Sequence, residues 1–288
     1  MRLDGRRTSN NVEDRRGSSG RGMKLAGGGI GGLIIAAIVV WLAGGNPLSV
    51  LNQSSGFSSG QEIESNYQPT AQEEAYAEFA KKILAGTEDV WTEEFKKMGM
   101  TYRPPKMVLF TGSVQSACGQ QSSAVGPFYC SGDETLYIDL SFFDQMDKQM
   151  KAGGDFAFAY VIAHEVGHHV QHLLGTLDDA HRQMAQVSQT EANRLSVRTE
   201  LQADYYAGVW AYHDNQMFNS LEEGDIEEGL NAASKIGDDY LQKQAQGYVV
   251  PESFNHGTSA QRVRWLKKGA MTGDVRGGTT FEGSYSNL

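Results

Sequence analysis

Asp155-Phe156-Ala157-Phe158-Ala159-Tyr160-Val161-Ile162-Ala163-His164-Glu165-Val166-Gly167-His168-His169-Val170-Gln171-His172 is the stretch on which the fold turns. It opens after Gly153-Gly154, with Asp155 the expected N-cap, and closes near Gly175, so it predicts a helix of about 20 residues. Its first half is apolar on most sides, which implies burial in a folded domain. Four of the chain's seven histidines fall in its second half, His164, His168, His169 and His172. The first two frame a pattern in which residues four apart share one helical face, so their imidazoles can converge on a single ion. Glu165, next to the first of them, would reach a metal-bound water. A zinc ion lowers the pKa of such a water to roughly 7, and a neighbouring carboxylate can take its proton as a carbonyl carbon is attacked. A polar helix face with solvated histidines is the plain alternative for those five residues alone. Gly167 costs about 1 kcal/mol relative to Ala inside a helix, which points to close backbone packing beside the site.

A catalytic zinc takes three protein ligands and keeps one position open. His172 lies eight residues after His164, about 12 Å along a helix, too far to join it on one ion. His169 points roughly 100° away from His168. Position 174, where an extended histidine motif would continue, is Leu. The candidate third ligand lies on the next long helical stretch, Glu191 to about Gln216, which contains Glu200-Leu201-Gln202-Ala203-Asp204. Glu200 and Asp204 share a face; Glu200 can bind metal while Asp204 accepts the free N–H of a ligand histidine and fixes its tautomer. A solvated acidic pair is the alternative. His181 and His213 read as surface or packing residues.

Three segments carry a resemblance: Ala163 to Gln171, Ser196 to Asp204, and His256-Gly257-Thr258-Ser259-Ala260-Gln261-Arg262. Together they resemble the bacterial neutral zinc metallopeptidases, over nearly the whole chain, and the site resembles that of gluzincins, whose third ligand is a Glu on a following helix. The resemblance implies a zincin-like fold, Zn²⁺ as cofactor, His164, His168 and Glu200 as ligands, Glu165 as base and Asp204 behind the ligands. In membrane-linked gluzincins a His-Pro pair precedes an Arg six residues after the His; His256 and Arg262 stand at that spacing. His256, or a nearby Tyr, can donate a hydrogen bond to a developing oxyanion; otherwise His256 simply begins a helix.

Glu134 to Leu140 alternates and reads as a strand, expected to pair with an extended substrate at its edge; an ordinary core strand is the alternative. Cys118 and Cys130 are the only cysteines. Their spacing in a Gly- and Ser-rich loop suggests a disulfide, with zinc ligation or reduced buried thiols as alternatives.

Leu25 to Gly45 holds 21 uncharged residues, enough to span about 30 Å of hydrocarbon. A buried core helix or a cleaved signal peptide are the other readings. Seven basic residues, Arg2, Arg6, Arg7, Arg15, Arg16, Arg21 and Lys24, precede it against Asp4, Glu13 and Asp14. By the positive-inside rule that places the N-terminus in the cytoplasm and the remainder outside it, on the periplasmic side of the inner membrane in a Gram-negative cell. The expected organisation is therefore a basic cytoplasmic tail (1–24), one transmembrane helix (25–45), a flexible Ser/Gly/Asn/Gln linker (46–72) and a metallopeptidase domain (73–288). The domain is expected to be α+β, mainly helical with a small sheet. The net charge is −10, and residues after the tail hold 18 basic against 32 acidic side chains, which excludes a nucleic-acid partner. A peptide or protein is the expected substrate. A membrane-tethered module that binds metal without catalysis is the competing reading; the intact Glu165 speaks against it, since ligands alone suffice for a structural metal.

Overall fold

The computed structural model describes residues 1–17 and 67–288, which separate into two compact units. One, mainly helical, comprises Met1–Asn10, Ala80–Pro104 and Gln145–Leu288; the other, built on a sheet, comprises Asn11–Phe79 and Pro105–Asp144.

In the sheet unit, β1 (Val12–Asp14), β2 (Lys106–Phe110), β5 (Phe128–Cys130) and β6 (Thr135–Asp139) form one sheet in the order β1-β2-β6-β5. β1 runs parallel to β2 with Val12 opposite Met107, and β2 runs parallel to β6 with Val108 opposite Tyr137. β5 closes the far edge antiparallel, Phe128 opposite Tyr137, and those two rings stack at 4.8 Å. Val108, Phe110, Val114, Cys130 and Tyr137 form its apolar core. A separate hairpin joins β3 (Ser113–Ser116) to β4 (Gly119–Ser122), and a Cys118–Cys130 disulfide ties its turn to β5. The strand read from Glu134 to Leu140 is β6, but it lies between β2 and β5 and is buried throughout. Among the described residues it is an inner strand, paired with β2 along its length and with β5 over residues 135–137, and not the edge strand expected to receive a substrate.

The helical unit is organised by backbone contact. α1 (Ala71–Lys97) enters it from Ala80, and the C-terminal residues of α2 (Ser141–Lys148) lead to α3 (Asp155–Leu173). α3 is the helix anticipated from the apolar run, with one correction at its start. Asp155 is its first helical residue and not its cap; Gly154, at φ +126°, is the N-cap. The terminal amide of Phe156 instead donates at 3.2 Å to Glu228, on α6 (Asp225–Lys235), a carboxylate placed where the helix dipole is positive. After the short α4 (Thr176–Met184), α5 (Gln189–Phe218) begins at Ser188, whose hydroxyl accepts from Glu191 N, and stops at Asn219 in the left-handed region. α7 (Asp238–Gln246) and α8 (Ser259–Thr272) follow; α8 starts with a capping box between Thr258 and Gln261.

α3, α5 and α8 touch through glycines. A Cβ on Gly167 would lie 2.8 Å from the Ala203 carbonyl oxygen of α5, and one on Gly208 would lie 2.2 Å from the Leu266 carbonyl of α8. The expense of Gly167 thus goes to bringing α3 against α5 at the level of the histidines. Around these contacts Phe156, Tyr160, Ile162, Val166, Leu201, Tyr205 and Trp210 are almost wholly buried, each apolar side chain of this size contributing about 1.5–3 kcal/mol.

The single-pass membrane arrangement is not what the structure supports. No helix among the described residues is long and apolar enough to cross a membrane, and Leu25 to Gly45 lies outside the described residues. The basic segment expected on the cytoplasmic face is built into the fold instead. Arg6 makes a bidentate pair with Asp214 of α5 at 2.7 and 3.2 Å and lies 3.7 Å over the Phe218 ring. Arg7 reaches Glu88 and Asp89 of α1, and Ser9 also donates to Glu88. In the sheet unit β1 belongs to the same tail. Chain on opposite faces of a bilayer could not share a strand ladder and buried ion pairs, so an N-terminus on one face and the remainder of the chain on the other do not hold.

Candidate metal centre

α3 and α5 bring His164, His168 and Glu200 together, one potential ligand atom from each lying within 4.8 Å of the others. His164 Nε2 is 3.2 Å from one Glu200 oxygen and His168 Nε2 is 3.4 Å from the other. Each imidazole is held from behind. His164 Nδ1 donates to Asp204 Oδ1 at 2.8 Å, and His168 Nδ1 donates to the Gln171 side-chain oxygen at 2.9 Å. The Gln171 amide nitrogen is itself spent on Thr199 O and Gln202 Oε1, so its oxygen must be the acceptor. With both Nδ1 atoms protonated, two Nε2 lone pairs face a carboxylate at close range. Acceptors do not face acceptors in a buried site without a cation between them, either a proton or a metal. The donor set of two imidazoles and one carboxylate suits zinc and leaves a coordination position open.

Asp204 is the hub behind these candidate ligands. It is fully buried, and besides His164 it accepts from Tyr160 OH at 2.6 Å and from Arg262 through Nε (2.8 Å) and Nη2 (2.9 Å). Burial opposes its charge, but Arg262 and His164 outweigh that and hold its pKa down at about 2. Burial likewise opposes a charged His164, yet Asp204 and Glu200 raise its pKa to about 10, which is the proton's share of the same cation hole. Glu200 is driven well below the usual carboxylate range: burial acts against this and the two histidines prevail. Glu165, 8% exposed, has its pKa raised chiefly by burial, the direction that keeps a carboxylate ready to accept a proton.

His256 approaches from the loop before α8. Its Nδ1 is 3.2 Å from Asp238 Oδ1, while the other Asp238 oxygen accepts from the amides of Asn255, His256 and Gly257 at 2.7, 2.7 and 3.0 Å. Burial disfavours its charge, but Asp238 and also Glu200 raise its pKa, so His256 and Glu200 are electrostatic neighbours. Gly257 sits at φ +92°, which proline, fixed near −65°, cannot adopt. The His-Gly pair is thus a different backbone turn from a His-Pro pair, even though Arg262 still reaches the centre.

The remaining histidines stand elsewhere: His169 Nε2 bonds Arg103 O at 2.6 Å, His172 lies 3.0 Å from Asp178, His181 is exposed on α4, and His213 bonds Gly273 O at 2.8 Å. Tyr160, Gln171 and Asp238 were not singled out by sequence reasoning. Tyr160 and Gln171 had a usable signal, lying one turn before His164 and one turn after His168 on the same helix; Asp238 had none.

A family model described as "Putative neutral zinc metallopeptidase" matches residues 1–281. An "Uncharacterized protein YpfJ" of Escherichia coli (strain K12) is 50% identical over 287 residues, covering 98% of this chain and 99% of that protein. An "Uncharacterized protein Rv2575" of Mycobacterium tuberculosis is 45% identical over 190 residues, 62% of this chain and 63% of its own. No solved structure matches the chain.

Proposed function

The chain belongs to the neutral zinc metallopeptidase family, and from that premise we propose that it hydrolyses peptide bonds with zinc held by His164, His168 and Glu200. The observation that carries this reading is the pair of Nε2 lone pairs facing the Glu200 carboxylate at 3.2 and 3.4 Å, with both Nδ1 atoms already engaged. Zinc, when bound there, supplies a Lewis acid that polarises a carbonyl and acidifies water.

The chain's own residues do the rest. Asp204 holds His164 in the tautomer that presents Nε2, and Tyr160 and Arg262 hold Asp204. Glu165, adjacent to His164 on α3 and buried enough for its pKa to rise, takes the proton of the attacking water and delivers it to the leaving amine. His256, oriented by Asp238, donates from its other nitrogen to the oxyanion. Chelating metal from the full-length protein and restoring zinc tests the reading: cleavage of a mixed peptide library is expected to disappear and return, and cleavage that survives metal removal would contradict it.

A further inference from the structure

The helical unit holds a concavity of ≈ 110 Å³, lined by Thr190, Asn193 and Arg194 on α5, Pro251, Glu252 and Phe254 on the loop before α8, and Tyr285 near the C-terminus. Each wall is fixed. Asn193 donates to Glu252 O at 2.7 Å and Ser196 to Asn255 O at 2.8 Å, so the loop runs along α5 from the pocket to His256. The turn carrying Tyr285 is pinned to α5 by Arg198, which donates to Thr280 O and to Gly283 O. The guanidiniums of Arg194 and Arg198 lie 5.4 and 5.9 Å from the Tyr285 ring centroid. The Tyr285 phenol has a raised pKa, from burial first and with a contribution from Asp238, the carboxylate that holds His256.

The pocket and the metal centre therefore share one helix and one loop. Thr190 to Asn193 precede Glu200 by seven to ten residues, about 10–15 Å along a helix. An extended peptide advances about 3.3 Å per residue, so the same span covers three to four substrate residues. The walls present Pro251, a Phe254 only 6% exposed, and the Tyr285 ring. Arg194 is already paired with Glu191 at 2.6 Å, so an acidic side chain finds no free opposite charge there, and Glu252 is the one acidic group in the lining. A cavity of about 150 Å³ admits a benzene ring, and this one is smaller. In the chain just before Pro251, Tyr248, Val249 and Val250 are 62%, 42% and 37% exposed, an apolar stretch against which another chain can lie.

We propose that this pocket is a specificity subsite that receives a branched aliphatic side chain of an extended peptide, three or four residues from the bond cleaved at the metal centre. The inference rests on the peptidase reading. Zinc-loaded full-length protein is given two matched series of peptides, in which Leu, Phe, Lys, Asp or Gly is placed in turn at each position on either side of the cleaved bond. The expected result is a kcat/KM about tenfold higher for Leu than for Gly at a position three or four residues away, a size typical of filling an apolar pocket, with Phe below Leu. Thr190→Trp, which fills the cavity from its rim, should bring the Leu-to-Gly ratio at that position close to one. A flat profile there in wild type, or a Leu preference that survives in folded Thr190→Trp, would overturn the subsite while leaving the peptidase intact. No cleavage of any peptide by zinc-loaded wild type would overturn the peptidase reading and the subsite with it.

Discussion

Replacing Gly167 by Ala separates two opposed expectations. In an exposed helix the change is stabilising by about 1 kcal/mol, because glycine has the more mobile unfolded chain. Here the added carbon would stand 2.8 Å from the Ala203 carbonyl oxygen, 3.0 Å from its Cα and 3.3 Å from its carbonyl carbon. All three are backbone atoms, so no rotamer change can yield space. Restoring ordinary contact requires α3 and α5 to part by roughly 0.5 Å, and overpacking of this kind costs about 1–3 kcal/mol. The net is a loss of up to about 2 kcal/mol once the propensity gain is subtracted. The more telling effect is on metal. His168 follows the substituted residue and Glu200 lies three residues before Ala203, so the separation acts across the ligand set. Ligand distances tolerate only about 0.2 Å, and zinc affinity should fall by about tenfold or more. Thermal unfolding of the metal-free protein and chelator competition for zinc read the two effects separately. A variant stabilised by about 1 kcal/mol with unchanged zinc affinity would refute the close approach of α3 and α5.

Other consequences follow from the same contacts. Arg6→Met should leave the Asp214 carboxylate, 1% exposed, buried without its partner and destabilise the protein by about 3–5 kcal/mol in denaturant titration; a loss under 1 kcal/mol would mean that the N-terminal segment is not built into the helical unit. Tyr160→Phe removes the 2.6 Å donor to Asp204 and should weaken zinc about tenfold in a chelator competition, within the range known for groups that orient metal ligands. In metal-free protein the raised His164 pKa of about 10 contributes stability fully present below the unfolded value of 6.5 and lost as pH rises toward 10. Zinc needs that nitrogen unprotonated, so the rise in melting temperature on adding zinc should grow from pH 6.5 to pH 10.

The histidine-bearing helix was legible because its signal is local: a spacing of four, an apolar lead-in and a glycine stop all sit within about 20 residues. Glu200 and Asp204 could be reached by the same rule on the next helix. The rest depended on partners far apart in sequence. Arg262 finds Asp204 across 58 residues and Arg6 finds Asp214 across 208, and no periodicity announces either. Arg6 and Arg7 therefore read as a basic tail, since charge counted along the chain says nothing of the acids it will meet. β1 is three residues long, too short for an alternation to show, and its pairing with β2 is fixed by the strand ladder. The strand at 135–139 was visible as a strand, but its place between β2 and β5 was not, because sheet order is a property of the whole unit.

The most direct test of the account compares full-length wild type with Glu165→Gln, measuring zinc per chain and cleavage of a mixed peptide library. Glu165 is not among the three converging groups that could hold a metal, so one zinc in each protein and cleavage by wild type alone is the predicted result. Equal cleavage by both proteins, or no zinc in wild type, would contradict it.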